Sequence, residues 1–291
     1  MTDFLQLLLS GLATGAIYSL VALGFTLLWQ ASGTINFAQG EFVMLPAMVM
    51  VLAMSSGLSL PIGFGLACSI SVLLLGWGFK RGLVDPLFKF GLMPIVVATI
   101  GFSFVLRNGV RAGFSSEPQP FPRIFPETVF NIHGIYVSAT DIGTLIVGGV
   151  LIFAVQFFLT RTVTGRAMQA VAQNTESAMV LGINVQRMIF YTFVINAILA
   201  ATAALLVTPT FLFKFDMGEM LGTKAFFAAI IGGITNSRGA LVGGLLVGVL
   251  ENFAAAYISP AYKDAVALII FMLVIMFKPQ GLIGRKEERK V

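Results

Sequence analysis

Residues 4–79 carry one charged side chain, Glu41, within long runs of Leu, Val, Ala, Phe and Met. Three later segments, residues 90–106, 142–160 and 188–213, contain no Asp, Glu, Lys or Arg. Each is close to the roughly 20 residues that a helix needs to cross the hydrocarbon core of a bilayer. Because hydrocarbon offers no water to the backbone, the N–H and C=O groups must pair within each segment, and these segments are therefore predicted to be helices.

The composition agrees with this interpretation. Of the 291 residues, 57% are hydrophobic and 11% are charged, whereas an ordinary soluble domain has about 25% charged residues. Such a chain has too few polar side chains to cover a surface in water. Loops beside the membrane account for the net charge of +5, so nucleic acid is not an expected partner. The sequence predicts an all-α integral membrane protein in which residues 1–291 form one transmembrane domain.

Catalytic chemistry is not indicated by the sequence. The chain has one cysteine, Cys68, in an apolar run, and one histidine, His133, in a proline-rich loop. A structural zinc site needs about four Cys or His ligands, and nucleophilic catalysis needs a nucleophile beside a base. Neither set can be assembled, so we expect no catalytic residue, no metal site and no enzymatic activity.

Windows of apolar residues predict a polytopic bundle of about 8–10 transmembrane helices. Orientation follows from Lys and Arg, because short loops rich in these residues stay in the cytoplasm. With alternating loops, most of the Lys and Arg residues fall on the side that holds the 161–187 loop and the C-terminus. We therefore expect that side to be cytoplasmic and the 111–140 loop to lie outside. The predicted windows are 4–28, 42–54, 61–79, 92–110, 142–160, 188–208, 223–235, 239–258 and 265–277.

Two of these windows, 42–54 and 223–235, are too short to cross a bilayer at 1.5 Å per residue. Each adjoins a polar stretch with glycine, GTINFAQGE before the first and GGITNSRGA after the second. Part of each stretch is therefore expected within the membrane as a broken helix, which is tolerated where protein or a water-filled cavity surrounds it. Short or interrupted segments in both halves of a transporter indicate its transport pathway. The candidate pathway residues are Asn36, Gln39, Gly40, Glu41, Gly232, Gly233, Asn236 and Glu251.

Two interpretations are open for Glu41 and for Glu251, which is alone in the eighth window. A carboxylate at the bilayer centre costs on the order of 2.5–3.5 kcal/mol, so each should face protein or water. Each glutamate can line the pathway and meet substrate. Alternatively, it can brace the structure through hydrogen bonds and never contact substrate.

The 161–187 loop is too polar to cross a membrane, but it contains one apolar helical face. One face is formed by residues that recur at spacings of three and four, namely Met168, Val171, Ala172, Thr175, Ala178 and Met179. This spacing predicts one amphipathic helix, ended at Gly182 and Asn184. A helix that lies on lipid usually carries many basic and bulky aromatic residues. This helix carries small residues and few charges, which favours docking into a groove on a partner protein.

The sequence resembles the membrane-spanning permease subunits of bacterial ATP-binding-cassette (ABC) importers for branched-chain amino acids. The resemblance covers nearly the whole chain and rests on several short motifs, which extend from Gly-Ala-Ile-Tyr-Ser-Leu near the N-terminus to Pro-Gln-Gly-Leu-Ile-Gly near the C-terminus. It implies the architecture of type II importer permeases. It also implies that residues 165–184 are the counterpart of the importer coupling helix, although the Glu-Ala-Ala opening of other importers is absent. The motifs are residues 15–20, 35–41, 165–167, 182–184, 224–226, 231–234, 239–240 and 279–284, and the implied coupling residues are Gly165, Arg166, Ala167, Met168, Ala172, Gly182, Ile183 and Asn184.

The resemblance also implies partners. The family imports amino acids, with branched-chain amino acids as the expected class, across the bacterial inner membrane by alternating access. It works with two ATP-binding-cassette ATPase subunits, a second homologous permease and a periplasmic substrate-binding protein. The present sequence has no GxxxxGK[ST] phosphate loop, so ATP and Mg²⁺ are expected to be used by the partner ATPases and no cofactor to be bound by this chain. Charging the apolar face, as in Met168→Glu, or replacing Gly182 should then uncouple ATP hydrolysis from uptake.

Other interpretations are compatible with the residues alone. Broken helices and a lone intramembrane glutamate also fit a self-sufficient secondary transporter or channel for a small polar solute. The outer loop 111–140, with its four prolines, can form part of a docking surface for the binding protein or be a rigid surface loop. For a zwitterionic substrate, Glu219 and Lys224 are a candidate pair of charges.

Overall fold

The computed structural model describes residues 2–132 and 134–284. The expectations for His133 and for the basic C-terminal residues 285–291 concern residues outside this description. The described chain is mostly helical. Its helices are α1 (Thr2–Ser32), α2 (Glu41–Ser55), α3 (Leu60–Ser71), α4 (Asp85–Phe88), α5 (Leu92–Gly113), α6 (Ala139–Arg161), α7 (Val163–Gln173), α8 (Thr175–Val180), α9 (Val185–Phe211), α10 (Met217–Gly232), α11 (Ser237–Tyr257) and α12 (Lys263–Phe277).

Within the described residues, seven helical segments are long and apolar enough to cross a membrane. They coincide with seven of the predicted windows, because an uninterrupted apolar run of this length has no alternative to a helix in hydrocarbon. The chain is therefore a mostly helical, multi-pass membrane protein. The seven segments are Thr2–Ser32, Leu60–Phe88, Leu92–Gly113, Ala139–Arg161, Val185–Phe211, Ser237–Tyr257 and Pro260–Phe277. In the second segment, π-helical turns at Val72–Gly78 and Lys80–Val84 join α3 to α4, and in the last a 3₁₀ turn at Pro260–Tyr262 precedes α12.

The remaining two windows contain the short helices α2 and α10, which have 15 and 16 residues. At 1.5 Å per residue they reach about 22–24 Å, which is less than the hydrocarbon thickness of about 30 Å. Both short helices were predicted, but α10 begins at Met217 instead of 223 and ends at Gly232 instead of 235. It ends there because Gly233 has a φ of +109°, a backbone conformation that leaves the helix.

The structure divides into two compact units. The terminal unit consists of Met1–Thr26, Phe125–Ile152 and Lys224–Val291, and the central unit consists of Leu27–Ile124 and Phe153–Thr223. The helices α1, α6 and α10 each contribute residues to both units.

The core of the central unit is built around α2, which packs against α3 and α9. Eleven of the 15 residues of α2 are buried, as expected for a helix that is hydrophobic on nearly all sides. Phe79 connects the surrounding spans, since its ring lies 5.3 Å from that of Phe42, 4.9 Å from that of Phe102 and 6.0 Å from that of Phe193. These ring contacts fall in the range of favourable aromatic pairs. They position the N-terminal end of α2.

The core of the terminal unit contains a close approach of α1 and α11 through glycine. A Cβ atom built on Gly248 would lie 2.3 Å from the backbone nitrogen of Gly15, and one on Gly244 would lie 2.5 Å from that of Ser19. Only residues without a side chain allow two helix backbones to come this close, and small residues are typical of helix interfaces in membranes. These glycines therefore have a packing role.

The outer segment contains a hairpin that the sequence interpretation missed. Strand β1 (Val129–Ile132) pairs antiparallel with β2 (Ile135–Ser138) in the terminal unit. Elsewhere in the segment, Gln119 forms an isolated bridge with Phe213 in the central unit. The hairpin was not predicted because it is short and the proline-rich segment before it reads as an irregular loop.

Candidate functional site

The first predicted break separates α1 from α2 in the central unit. The chain leaves α1 at Gly33, whose φ is +66°, and is not helical again until Glu41. Asn36 stabilises the turn, because its Oδ1 accepts a hydrogen bond of 3.0 Å from the backbone nitrogen of Ala38. Side chains of Asn, Asp, Ser and Thr compete with the helix in this way. The polar stretch is therefore a true interruption between two apolar helices.

A pair of amides holds the end of this break against α9. Gln39 donates from Nε2 to Oδ1 of Asn196 at 2.7 Å, and Asn196 donates from Nδ2 to Oε1 of Gln39 at 2.9 Å. Both residues are completely buried. Reciprocal bonds of this kind avoid leaving a buried amide unpaired. Gln39, predicted as a pathway residue, is thus a buried link between the break and α9, and Asn196 is a partner that sequence reasoning missed.

Glu41 is the first residue of α2, and only 1% of its surface is exposed. Its Oε1 accepts hydrogen bonds from Ser103 at 2.9 Å and from Nη2 of Arg107 at 3.4 Å. Its Oε2 has no hydrogen-bond partner in the described part of the chain. Its carboxylate lies at the N-terminus of α2, the end of a helix that carries partial positive charge.

Arg107 extends this charge cluster toward the surface. Its Nη1 forms an ion pair with Glu219, while its Nε has no hydrogen-bond partner among the described residues. The exposed fraction of the side chain rises from 1% at Glu41 to 17% at Arg107 and 62% at Glu219. The cluster thus extends from a buried anion to an exposed one. Sequence reasoning did not connect Arg107 to Glu41.

Gly40 has a packing role beside these charges. A Cβ atom on Gly40 would lie 2.0 Å from the carbonyl oxygen of Gly218, and one on Gly222 would lie 2.9 Å from the Cα of Gly40. Gly218 and Gly222 are four residues apart on α10 and therefore share one face of that helix. The break comes into backbone contact with this face because none of the three residues has a side chain.

The second predicted break separates α10 from α11 in the terminal unit. Gly233 is left-handed, and Asn236 caps α11 by accepting a hydrogen bond of 3.0 Å from the nitrogen of Arg238. The C-terminal segment covers this break. Leu282 and Ile283 donate backbone hydrogen bonds to the carbonyls of Ile231 at 2.8 Å and Gly232 at 3.0 Å. These carbonyls belong to the last turn of α10 and would otherwise lack helical partners.

Backbone contact also explains the glycines of the second break. A Cβ atom on Gly232 would lie 1.8 Å from the carbonyl oxygen of Gly239, and one on Gly281 would lie 2.4 Å from the nitrogen of Gly233. The break is therefore closed by backbone from α11 and from the C-terminal segment. Gly232 and Gly233 were predicted as pathway residues. In the structure Gly232 contacts the backbone of α11, and Gly233 contacts the backbone of the C-terminal segment.

Glu251 on α11 is buried, with 4% of its surface exposed, and both of its carboxylate oxygens have partners. Tyr18 donates to Oε2 at 2.8 Å, and Nζ of Lys224 forms an ion pair with Oε1. Lys224 also contacts Asp264 at 2.9 Å, while Lys263 lies 3.6 Å from Oε1. Glu251 is thus part of a closed network of charges within the terminal unit.

The candidate pair of Glu219 and Lys224 is not formed. Glu219 pairs with Arg107, and Lys224 pairs with Glu251 and Asp264. Both residues are on α10, and a separation of five residues turns their side chains about 140° apart around the helix axis. Their role as two charges for a zwitterionic substrate stays a prediction, and the structure gives each charge another partner.

The 161–187 segment forms two helices instead of the predicted one. Thr162 caps α7 by accepting a 2.9 Å bond from the nitrogen of Gly165, and Asn174 interrupts the helix and caps α8 by accepting a 2.9 Å bond from that of Ser177. At the end of α8, Ile183 and Gly182 donate backbone bonds to the carbonyls of residues 178 and 179, the pattern of a Schellman motif. Gly182, with a φ of +78°, thus ends a helix as predicted.

Part of the apolar face predicted to dock a partner is packed inside the chain, while Met179 of the same face is 54% exposed. Met168, Val171 and Ala178 are buried, and α7 packs against α8 and α9. The periodicity was correct, but an apolar stripe that belongs to the chain's own core gives the same pattern as one that faces a partner. The exposed apolar side chains lie instead at the end of α8, where Val180 is 87% and Leu181 77% exposed.

The other predicted coupling residues have different environments. Gly165 is buried, and a Cβ atom there would lie 2.1 Å from the carbonyl oxygen of Phe158. Asn184 caps α9 by accepting a 3.0 Å bond from the nitrogen of Arg187. The remaining residues are exposed or half-buried, namely Arg166, Ala167, Ala172 and Ile183.

Comparisons with known proteins give a consistent result. A family model described as the permease component of branched-chain amino acid transport systems matches residues 7–275. The chain is 35% identical to the high-affinity branched-chain amino acid transport system permease protein BraD of Pseudomonas aeruginosa, over 99% of this chain and 98% of that protein. It is 33% identical to the corresponding LivH of Escherichia coli, again over 99% and 98%.

A solved structure supports the fold. The chain resembles a chain of PsaBC from Streptococcus pneumoniae in complex with Fab, with a TM-score of 0.53 and coverage of 95% of this chain and 92% of that chain. The two sequences are 14% identical. The likeness therefore concerns the architecture of the helices.

Proposed function

Because this chain belongs to the family of permease components of branched-chain amino acid transport systems, we propose that it provides part of the path by which branched-chain amino acids cross the bacterial inner membrane. A permease of this kind is a transport subunit and not an enzyme. The observation that carries the proposal is the buried polar break before α2, where Asn36, Gln39 and Glu41 interrupt apolar helices. Polar and ionisable residues are expensive within a membrane and mark transport pathways.

The alternative interpretation, a secondary transporter or channel that works without partner subunits, is not adopted. The relatives are permease components of transport systems, and the family matches residues 7–275. The energy source is therefore expected on partner subunits. In the proposed assembly, two ATP-binding-cassette ATPases use ATP and Mg²⁺, a second homologous permease completes the path, and a periplasmic binding protein delivers the amino acid.

In the proposed orientation, α7 and α8 and the C-terminus lie on the cytoplasmic side. The exposed apolar residues Val180 and Leu181 at the end of α8 then contact the ATPase, in place of the internal face around Met168. Closure of the ATPase dimer moves this segment and alternates access to the path. A two-state change of this kind requires that the ATPase contacts the segment differently in the two states.

The coupling surface can be tested by comparing Leu181→Glu with Met168→Glu. Leu181 is exposed, so the Leu181→Glu protein should be produced in the same amount as the unmodified protein and be equally stable to unfolding. It should nevertheless lose ATP-driven uptake. Met168 is buried, and a charge there should lower the amount of folded protein, because a buried unpaired charge is strongly unfavourable. Normal uptake by a folded Leu181→Glu complex would remove α8 from the coupling surface.

The function is tested by purifying the chain from its native membrane with the proteins that bind it. The co-purified complex, reconstituted in liposomes with the binding protein, should accumulate labelled leucine when ATP is supplied on the ATPase side. Liposomes without ATP serve as the control. Accumulation by the chain alone, without ATPase subunits, would contradict the proposal and restore the carrier interpretation.

A further inference from the structure

Glu41 and Arg107 form an ion pair in the central unit in which each partner keeps one polar atom unused. Oε2 of Glu41 accepts no hydrogen bond and Nε of Arg107 donates none within residues 2–132 and 134–284. One unused atom is an anionic acceptor and the other is a cationic donor. Buried polar atoms are nearly always paired, so each exception calls for an explanation such as a bound ligand.

Other polar atoms of the two partners, Oε1 of Glu41 and Nη1 of Arg107, are held in place by neighbouring residues. Ser103 donates to Oε1 of Glu41 at 2.9 Å, and Glu219 pairs with Nη1 of Arg107. The direct contact between the partners, from Nη2 of Arg107 to Oε1 of Glu41, is long at 3.4 Å. Ser103 and Glu219 therefore act as positioning residues, while the contact between Glu41 and Arg107 is the weakest link of the cluster.

We propose that Glu41 and Arg107 recognise the α-ammonium and α-carboxylate groups of the transported amino acid. This inference rests on the function proposed above. The α-ammonium group donates to Oε2 of Glu41, and the α-carboxylate accepts from Nε and Nη2 of Arg107. A zwitterion that enters the ion pair replaces each charge by one of the same sign, so no net charge is buried. The exchange exploits the preference of guanidinium for carboxylate.

Asn36 supplies a further donor in the same break. Its Oδ1 is used by the backbone of Ala38, whereas its Nδ2 has no partner in the part of the chain that the structure describes. A second carboxylate oxygen of the substrate is a suitable acceptor for this amide. The cluster has one exposed end at Glu219, while Glu41 at the other end is buried, so a ligand reaches Oε2 only when the contact between Glu41 and Arg107 opens.

Glu251 shows what a carboxylate without this role looks like. Its two oxygens are occupied by Tyr18 and Lys224, so no acceptor is left for an ammonium group. The proposal therefore assigns substrate recognition to Glu41 and not to Glu251, although the sequence alone treats the two glutamates alike.

The first test uses the purified complex of the permease with its co-purified ATPases, without the binding protein, and measures its melting temperature. Millimolar leucine should raise the melting temperature, because a ligand that binds the folded state stabilises it. The analogue 4-methylpentanoate, which lacks the ammonium group, and 3-methylbutylamine, which lacks the carboxylate, should have no effect. A shift by either analogue as large as that by leucine would overturn the proposal without any variant being needed.

The second test compares Glu41→Gln and Arg107→Gln with the control Glu117→Gln, which removes an exposed charge in the outer loop. Both cluster variants should lose the leucine-dependent shift, and the KM for uptake should rise by about ten- to a hundredfold, as expected for the loss of one charge-assisted hydrogen bond. The control should behave like the unmodified protein. Unchanged KM values in the cluster variants would overturn the recognition pair while ATP-driven uptake still upheld the proposed function. Absence of ATP-driven leucine uptake by the unmodified complex would overturn the function itself.

Discussion

Glu41 in the central unit and Glu251 in the terminal unit are both buried carboxylates among apolar helices, with 1% and 4% of their surfaces exposed. Glu251 has a hydroxyl on one oxygen and an ammonium on the other. Glu41 has both of its donors on Oε1 and none of the described residues on Oε2. A fully paired charge holds helices together, whereas an incompletely paired charge can bind something else. Pairing, and not burial, therefore distinguishes the two glutamates.

The break before α2 and the break after α10 also differ in how their polar groups are paired. The break before α2 is stabilised by side chains, with Gln39 bonded to Asn196 and Glu41 to Ser103. The break after α10 is stabilised by backbone, because the C-terminal segment donates to the free carbonyls of α10. Side-chain networks can exchange partners at small cost, while a backbone-covered break can open only if the covering segment leaves. We expect the first break to change during transport and the second to stay closed.

The largest effect is expected from Lys224→Met in the terminal unit. It removes the buried cation opposite Glu251 and should lower the free energy of unfolding by about 3–5 kcal/mol, as for other broken buried ion pairs. The measurement is unfolding of the purified protein by dodecyl sulfate. Lys263→Met is the control, because Lys263 is 3.6 Å from Glu251 and partly exposed, so its loss should cost less than about 1 kcal/mol. Equal losses in the two variants would contradict a closed network centred on Lys224.

A slightly smaller effect is expected from Gly40→Ala. Its Cβ atom would lie 2.0 Å from a backbone carbonyl, and overpacking of this severity should cost about 3 kcal/mol. Gly33→Ala is the matched variant in the same break, since Gly33 has open space but a φ of +66°, and it should lose about 1–2 kcal/mol. If Gly33→Ala were the more damaging of the two, conformation and not packing would limit the break.

Asn196→Ala tests the amide pair and should cost about 1–3 kcal/mol, because it leaves the buried amide of Gln39 without its partner. The double variant Gln39→Ala/Asn196→Ala should lose less than the sum of the single variants, since neither amide is then left unpaired. The free energies of unfolding of the four proteins form the measurement. Strict additivity would show that the two amides act independently.

The smallest changes in stability are expected when the asparagine of each break, Asn36 or Asn236, is replaced by alanine. Asn236→Ala removes a helix cap and a 3.1 Å bond to the carbonyl of Ile283, and it should cost about 1 kcal/mol, a typical value for a cap. Asn36→Ala should cost less, because only its Oδ1 is bonded to described residues. If Asn36 contacts the substrate, then in the presence of leucine Asn36→Ala should lose more stability than Asn236→Ala. Thermal unfolding with and without leucine provides the measurement.

Local features were largely predictable. The seven long helices follow from apolar runs, and the turns at Gly182 and Asn184 follow from backbone freedom and capping, which depend only on near neighbours. The docking role of the face around Met168 stays a prediction, because periodicity marks a face to be buried without saying what buries it, and Met168, Val171 and Ala178 are buried within the chain itself. The break at Asn174 was missed because the apolar spacing continues across it. The short helix α10 was predicted with shifted ends because polar residues at its beginning resemble a loop.

The amino-acid sequence by itself determined that this protein lies in a membrane, which segments cross it, where two helices are broken and to which family it belongs. These properties depend on composition and on residues close together in the chain. The tertiary structure decided which charges meet, since Glu41 and Ser103 are 62 residues apart and Tyr18 and Glu251 are 233 apart. Which atoms of a buried carboxylate stay unused depends on every helix around it, and no local pattern of residues contains that information.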